Sequence, residues 1–270
     1  MKRIQANGIE MAYHQQGIGP DLVLITGVGY SSWFWHPLLA GLADHFRVTV
    51  FDNRGTGDSD KPAGPYTIEM MAADTAGLID TLGIGPAFVL GHSLGGYVAQ
   101  RLVASRPELV SHLILASTNL GGRQVIPITP EALQVLTNRS GEPLELIRRG
   151  IAIATHSRFG ESRPEFIHQM VAYRLTNPVP PAQYTAQVMA GAATAAWSEA
   201  QIKANMAAIT MPTLILFGED DRVVPPGNAQ LLAAQIPQAQ VVMLPNTGHL
   251  FPLEDPAGTI AALCHFQTNA

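Results

Sequence analysis

Six short apolar runs are spaced along the chain, and a polar or glycine-containing segment follows each of them. The runs begin at Leu22, Val48, Phe88, Leu113, Leu214 and Val241. Nearly continuous apolar runs of this length are typical of strands buried on both faces, so they predict a parallel β-sheet. Two further strand-like runs flank Asn7-Gly8, a dipeptide that favours a two-residue turn with two positive φ angles. The N-terminus is therefore predicted to form an antiparallel hairpin at one edge of the sheet.

Segments with helical spacing of apolar residues lie between these runs. In residues 94–105, for example, Leu94, Val98 and Leu102 recur at every fourth position, and Pro107 follows the segment. Alternating strands and helices are typical of a doubly wound α/β fold, here with about eight mostly parallel strands. Ligands in such folds bind beyond the carboxyl ends of the strands. The loops after the predicted strands are therefore the first place to look for functional residues.

The alternation is interrupted over residues 120–205, where no strand-like run occurs. Four helical segments, punctuated by Pro and Gly, begin at residues 130, 143, 164 and 182. We interpret this interval as a helical cap inserted into an α/β core. The predicted domains are a core of residues 1–119 and 206–270 and a cap of residues 120–205.

Composition excludes several classes of function. The 270 residues are 47% hydrophobic and only 14% charged, with a formal net charge of −5, so nothing favours nucleic acid or an anionic membrane surface. No apolar stretch approaches the roughly 18 residues of a membrane-spanning helix, and the first residues lack the apolar segment of a signal peptide. Cys264 is the single cysteine, so no internal disulfide forms. We expect a cytoplasmic protein without nucleic-acid or membrane partners and leave its oligomeric state open.

One serine stands in a position suited to nucleophilic attack. Residues 91–95 read Gly-His-Ser-Leu-Gly and match G-x-S-x-G between a predicted strand and a predicted helix, the context that this motif requires. Gly91 and Gly95 lack the Cβ atoms that would collide across so tight a turn. The strained backbone of this turn directs the Ser93 hydroxyl toward the ligand cleft. The helix N-terminus that follows adds positive potential for a developing oxyanion. A plain Gly/Ser turn joining strand to helix is the alternative.

A serine hydroxyl needs a general base, which a carboxylate in turn orients. In this architecture both follow the serine in chain order, each on a loop after a later strand. His249 follows the last predicted strand, and Asp220 and Asp221 follow the strand before it. His92, inside the turn, is expected to point away from the serine. Ser93, His249 and one of the two aspartates therefore form a candidate triad.

Four motifs resemble those of the α/β-hydrolase superfamily, and together they extend over nearly the whole chain. They are FDNRGTGDSDKP from Phe51, VLGHSLGG from Val89, PTLILFGEDDRVVP from Pro212 and LPNTGHLFPLEDP from Leu244. The motifs and the cap look most like those of the 3-oxoadipate enol-lactonase group and its carboxylesterase relatives. In the family's acid loop the aspartate comes three residues after the glycine. The resemblance therefore implies a triad that includes Asp221, and an enzyme without cofactor or metal.

The resemblance also implies an oxyanion hole, whose donors would be the backbone N–H groups of Val28 and Leu94. One departure is visible, because many members carry His-Gly after the third strand and Thr26 holds the histidine position here. Threonine reaches less far than histidine, so we expect this chain to differ in how the Val28 loop is held. Three polar residues of the first motif are expected to be structural: Asp52, Arg54 and Ser59.

Pocket residues are predicted from position and side-chain type, with Trp35 expected in the core. The candidates are Tyr30, Met170, Tyr173, Met189, Val224 and Leu250. Met and aromatic residues at helical spacing are, however, more often core than pocket. The predicted cap is rich in Ala, Met, Val and Ile, so an apolar cavity that favours neutral esters or lactones is expected. Its arginines are expected on solvated helix faces: Arg148, Arg149, Arg158, Arg163 and Arg174.

Three functions are consistent with these features. The first is a cofactor-independent serine hydrolase that cleaves a small ester or lactone through an acyl-enzyme intermediate. A hydrolase-fold receptor or signalling protein with slow or no turnover is the alternative from another class, because fold alone does not define function. C–C bond hydrolysis or perhydrolysis on the same fold is the third. The sequence contains no metal-ligand cluster and no dinucleotide-binding glycine pattern that would favour another chemistry.

Overall fold

The computed structural model describes residues 1–269, and one eight-stranded sheet lies at its centre. The strands are β1 (Lys2–Ala6), β2 (Ile9–Gln16), β3 (Asp21–Ile25), β4 (Arg47–Phe51), β5 (Ala87–His92), β6 (Val110–Ala116), β7 (Thr213–Gly218) and β8 (Gln240–Leu244). Their order across the sheet is β1-β2-β4-β3-β5-β6-β7-β8. The β1/β2 and β2/β4 pairs are antiparallel, and all other pairs are parallel. The predicted mostly parallel, doubly wound sheet is confirmed.

The N-terminal hairpin forms at the predicted dipeptide. Asn7 has φ 47° and Gly8 has φ 77°, and the residues on either side, Ala6 and Ile9, pair directly. Two consecutive positive φ angles match the right-handed twist of the two strands that the turn connects. The antiparallel edge is therefore a consequence of local turn chemistry.

Helices cover both faces of the sheet. Those within residues 1–269 are α1 (His36–Ala43), α2 (Ile68–Leu82), α3 (Leu94–Ser105), α4 (Pro130–Thr137), α5 (Pro143–Ala154), α6 (Phe159–Ser162), α7 (Pro164–Thr176), α8 (Pro181–Ala193), α9 (Glu199–Ala207), α10 (Asn228–Gln235), α11 (Phe251–Glu254) and α12 (Pro256–Asn269). Along β3, Val23 and Ile25 face a core shared with α2, α3 and α10, whereas Leu22 and Leu24 face a core shared with α1, α11 and α12. Burial on both faces explains why the strands read as continuous apolar runs. Trp35 is completely buried in the second core, as expected.

The interval between β6 and β7 is helical, as its sequence pattern predicts. It contains α4 to α9, called the cap helices below, and four of them match the four predicted segments. The division into a core domain and a cap domain at residues 120 and 205 stays a prediction. None of the helices in residues 1–269 has the length and apolar character needed to cross a bilayer.

Candidate active site

Ser93 lies in a strained turn between β5 and α3. Its backbone has φ 56° and ψ −117°, and its N–H donates to the carbonyl of Ala116 on the neighbouring strand at 2.9 Å. A Cβ atom at Gly91 would overlap the carbonyl of Gly95, and one at Gly95 would overlap the carbonyl of Ile25. Only glycine fits these two positions. The turn therefore depends on the glycines of the motif, and it leaves Ser93 partly exposed among buried neighbours.

Asp221 and His249 meet beside this turn. Asp221 Oδ2 lies 2.8 Å from His249 Nδ1, and its other oxygen accepts from the N–H groups of Val223 and Val224 at 2.8 Å. A carboxylate only accepts hydrogen bonds, so His249 carries its proton on Nδ1 and Nε2 remains an acceptor. The Asp220 side chain is 52% exposed and makes no such contact. Of the two adjacent aspartates, Asp221 is therefore the one that can orient His249.

One cavity of about 600 Å³ brings the candidates together at the carboxyl ends of the strands. Ser93 and His249 line it, and so do Val28 and Leu94, the two predicted oxyanion donors. Neither of these two amide N–H groups donates to another group within residues 1–269. The predicted roles of the four residues stay predictions, but the geometry of nucleophile, base and free donors around one space suits acyl transfer.

The loop that carries Val28 is held without a histidine. Thr26 Oγ1 donates to the carbonyl of Tyr30 at 3.1 Å, and the Asn53 amide donates to the Thr26 hydroxyl and carbonyl at 3.1 and 3.2 Å. Thr26 is completely buried, so these bonds close the loop in the protein interior. The short side chain of Thr26 is sufficient here because the Tyr30 carbonyl and the Asn53 amide lie within hydrogen-bond distance of it.

A cap helix provides a second support for the same loop. Gln187, completely buried on α8, accepts from the N–H of Gly29 at 2.9 Å and donates to the carbonyl of Arg54 at 2.9 Å. Gly29 is the neighbour of Val28 in the chain. Nothing in the sequence pattern distinguishes Gln187 from other glutamines on helices, so sequence reasoning missed it.

His92 supports His249 through a hydrogen bond to its backbone. Its Nε2–H donates to the carbonyl of His249 at 2.8 Å, and the centroids of the two imidazole rings lie 4.8 Å apart. Burial, together with the neighbouring His249, lowers the pKa of His92 well below its ordinary value. His92 therefore stays neutral, and within the described residues it makes no hydrogen bond to Ser93.

Glu254 holds the loop that carries His249 through a hydrogen bond to its backbone. Its two carboxylate oxygens accept from the N–H of Gly248 at 2.9 Å and from the N–H of His156 at 2.6 Å. Burial, with a smaller contribution from the charge of Asp221, raises the pKa of Glu254 to about 7, and the two amide donors oppose the rise. Sequence reasoning missed this residue too, because Glu254 stands next to Asp255 and nothing in the sequence shows which of the two is buried.

The structure corrects half of the predicted pocket. Three predicted residues line the cavity: Tyr30, Val224 and Leu250. Met170 is instead completely buried in the core, because its face of α7 packs inward. Tyr173 stacks on Trp33 with ring centroids 4.4 Å apart, outside the lining, and Met189 is 61% exposed. Helical spacing identifies the apolar positions but does not show which of them face the ligand.

The expectation that the cap arginines lie on solvated helix faces is corrected at three positions. Arg148 is exposed and Arg149 is half-buried on α5, in keeping with a helix surface. Arg158 and Arg163 are exposed as well, but they flank α6 and lie outside its helical residues. Arg174, however, lines the cavity. Two further arginines that the sequence did not single out lie there as well: Arg123 and Arg139.

The loop of the first motif is structural in its contacts. Arg54 forms a buried ion pair with Asp74, with N–O distances of 2.5 and 2.6 Å. Asp52 accepts from the Ser32 N–H at 2.7 Å, and Ser59 donates to the Asp52 carbonyl at 2.6 Å. None of these residues lines the cavity. Residues 1–269 also contain no group of three or more His, Cys, Asp or Glu side chains arranged to bind a metal ion.

Comparison with known proteins gives a consistent result. Residues 20–256 match the family model of the α/β hydrolase fold. The sequence is 31% identical to the provisionally assigned non-heme bromoperoxidase BpoC of Mycobacterium tuberculosis, over 96% of this chain and 97% of that protein. Among solved structures, a thermophilic esterase from Thermogutta terrifontis with malate bound has a TM-score of 0.84 at 30% identity, covering 99% of this chain and 98% of its own. The enol-lactonase of Burkholderia xenovorans LB400 has a TM-score of 0.81 at 26% identity, covering 99% and 100%.

Proposed function

This chain belongs to the α/β-hydrolase family, and we propose that within it the protein is a cofactor-independent serine hydrolase that cleaves a carboxylic ester or lactone. The observation that carries the proposal is the arrangement around one cavity of Ser93 and of His249 hydrogen-bonded to Asp221 at 2.8 Å. The esterase and the enol-lactonase among the similar structures support the same reaction class.

Acylation follows from this arrangement. Ser93 Oγ attacks the substrate carbonyl carbon while His249 Nε2 takes the hydroxyl proton, and Asp221 stabilises the resulting imidazolium. The N–H groups of Val28 and Leu94 hold the oxyanion of the tetrahedral intermediate. When the intermediate collapses, the ester C–O bond breaks and His249 returns the proton to the leaving alcohol oxygen. In a lactone the alcohol stays attached to the acyl group.

Deacylation repeats these steps with water as the nucleophile. His249 takes a proton from water, the hydroxide oxygen bonds to the acyl carbon, and the C–O bond to Ser93 breaks. Ser93 regains its proton from His249, and the carboxylic acid leaves. In our proposal residues 120–205 form a cap domain whose helices cover the reacting groups. Four of these helices contribute residues to the cavity lining: α4, α5, α7 and α8. The cavity volume of about 600 Å³ suits a small-molecule substrate.

A phosphonate probe tests the proposal. We expect a fluorophosphonate to add one adduct per chain by intact-protein mass spectrometry, and 4-nitrophenyl acetate to be hydrolysed with turnover. Ser93→Ala abolishes both, whereas Ser105→Ala, on α3 but outside the cavity, retains both. Labelling without turnover would favour a small-ligand receptor, and labelling that survives Ser93→Ala would refute the proposed nucleophile.

A further inference from the structure

The cavity carries positive charge that the proposed mechanism does not use. Most of its lining is apolar, but Arg123, Arg139 and Arg174 contribute to it. No Asp or Glu is among the lining residues in the described part of the chain. A cavity with cations and no anions has an electrostatic preference that its apolar wall alone would not produce.

Arg174 lies beside the loop proposed to hold the oxyanion. It extends from α7, is half-buried, and its guanidinium carbon lies 4.6 Å from the centroid of the Tyr30 ring. Its Nη2 atom is 3.9 Å from the place where a Cβ atom on Gly29 would stand. Gly29 directly follows Val28, so the charge of Arg174 is close to the reacting end of the cavity.

Arg139 joins the same group of side chains through Tyr184. The guanidinium carbon of Arg139 lies 4.3 Å from the centroid of the buried Tyr184 ring, and that ring packs against Gly29. Burial raises the pKa of Tyr184, and the charges of Arg139 and Arg174 both oppose the rise. Both cations therefore act on one phenol. We call Tyr30, Arg139, Arg174 and Tyr184 the arginine–tyrosine cluster.

Within residues 1–269 the two guanidinium groups have no carboxylate partner. Neither Arg139 nor Arg174 forms an ion pair with any Asp or Glu of residues 1–269, whereas the buried Arg54 is paired with Asp74. Stacking on an aromatic ring uses the flat face of a guanidinium and leaves the N–H donors at its edge available. Those edge donors match the two oxygens of a carboxylate.

We propose that the arginine–tyrosine cluster binds a carboxylate of the substrate, so that the preferred ester or lactone is anionic. The inference rests on the proposed hydrolase function and replaces the sequence-based expectation of a neutral substrate. The apolar wall contacts the carbon chain, and Arg174, assisted by Arg139, fixes the charged end. The carboxylate of a bound substrate is then the counter-ion that the described residues do not supply.

Matched substrate pairs test this selectivity. Monoethyl esters of aliphatic dicarboxylic acids are compared with ethyl alkanoates of equal chain length, and hydrolysis is followed by proton release. We expect the native protein to prefer the anionic series. Arg174→Gln should lower kcat/KM for that series about 10- to 100-fold, the range of a lost charged hydrogen bond, and change the neutral series less than about threefold. Arg174→Lys should restore part of the loss, and Arg139→Gln should act in the same direction with smaller effect.

Two controls separate this inference from the proposed function. Arg158→Gln removes an exposed arginine in the turn before α6, outside the cavity, and should alter neither series. Aliphatic dicarboxylates should also slow phosphonate labelling of Ser93 in the native protein but not in Arg174→Gln. Equal rates on both series, equal loss of both in Arg174→Gln, or no protection by dicarboxylates would overturn the anionic site while Ser93 still reacts. Absence of labelling at Ser93 would instead count against the hydrolase function.

Discussion

Replacing Gln187 with leucine tests whether a cap helix holds in place the loop of Val28 and Gly29, called the oxyanion loop below after its proposed role. The Gln187 side chain is completely buried and links the N–H of Gly29 to the carbonyl of Arg54, each at 2.9 Å. Leucine has a similar volume but no polar atoms, so it leaves both backbone groups without a partner. The substitution therefore removes the link without emptying the space.

The magnitude follows from the two orphaned groups. Each buried backbone group that loses its partner costs about 1–3 kcal/mol, so Gln187→Leu should lower the free energy of unfolding by about 2–6 kcal/mol. Removal of one oxyanion donor lowers kcat by about 100- to 1,000-fold in a well-studied hydrolase. Gly29 adjoins the proposed donor Val28 rather than being a donor, so we expect a smaller loss, about 10- to 100-fold in kcat. KM should change little, because the oxyanion develops only in the transition state.

Thermal unfolding and steady-state hydrolysis of an activated ester measure the two effects. Gln183→Leu is the matched control, because Gln183 lies one turn earlier on α8, is partly exposed and makes only long contacts of 3.3 and 3.4 Å. Gln187→Glu keeps an acceptor for Gly29 and regains a donor when protonated, so its stability should approach the native value as pH falls. A Gln187→Leu protein that unfolds earlier but retains its kcat would refute the link between this side chain and the oxyanion loop.

Two further predictions concern the acidic residues of the site. Asp221→Asn should lower kcat by about 10⁴-fold, because His249 loses the acceptor that orients it, while Asp220→Asn should change kcat little. The same ester assay compares the two variants, and equal losses of kcat would contradict the assignment of Asp221. Because the pKa of buried Glu254 is raised from 4.5 to about 7, its protonated form is favoured by folding. The stabilisation from its proton is therefore complete below pH 4.5 and is lost as the pH rises through 7. Over this interval the free energy of unfolding should fall by roughly 3 kcal/mol. Urea unfolding across this range should show that the free energy of unfolding depends less on pH in Glu254→Gln than in the native protein. An equal dependence in both proteins would refute the titration of Glu254 as its cause.

Most of the sheet could be predicted because its determinants are local. In β3, Val23 and Leu24 face opposite cores, so no polar residue interrupts the strand. The turn at Asn7 and Gly8 depends only on backbone conformations that these two residues adopt readily. Periodicity and turn chemistry act within a few residues, and a linear sequence displays them directly.

The site could be predicted only where it follows strand ends. The loops of Asp221 and His249 come directly after β7 and β8, so their meeting is a consequence of parallel topology. Met170 and Met189 lie on helices whose inward face depends on how those helices pack, and the prediction for them was wrong. Gln187 reaches Gly29 across 158 residues of chain, a contact that no local pattern contains.

The cap helices line the cavity and are also hydrogen-bonded to the loops that carry Asp221 and His249. At the end of α5, the carbonyl of Ala154 accepts from the N–H of Leu250, and the carbonyl of Thr155 accepts from Arg222 at 3.0 Å. These carbonyls belong to the last turn of a helix and have no intrahelical donor, so the histidine and acid loops satisfy them. Gln187 makes the corresponding connection to the oxyanion loop. A change in these helices that reshapes the cavity therefore also moves the loops of the proposed catalytic site. Substrate preference and turnover should change together when such a change displaces α5 or α8.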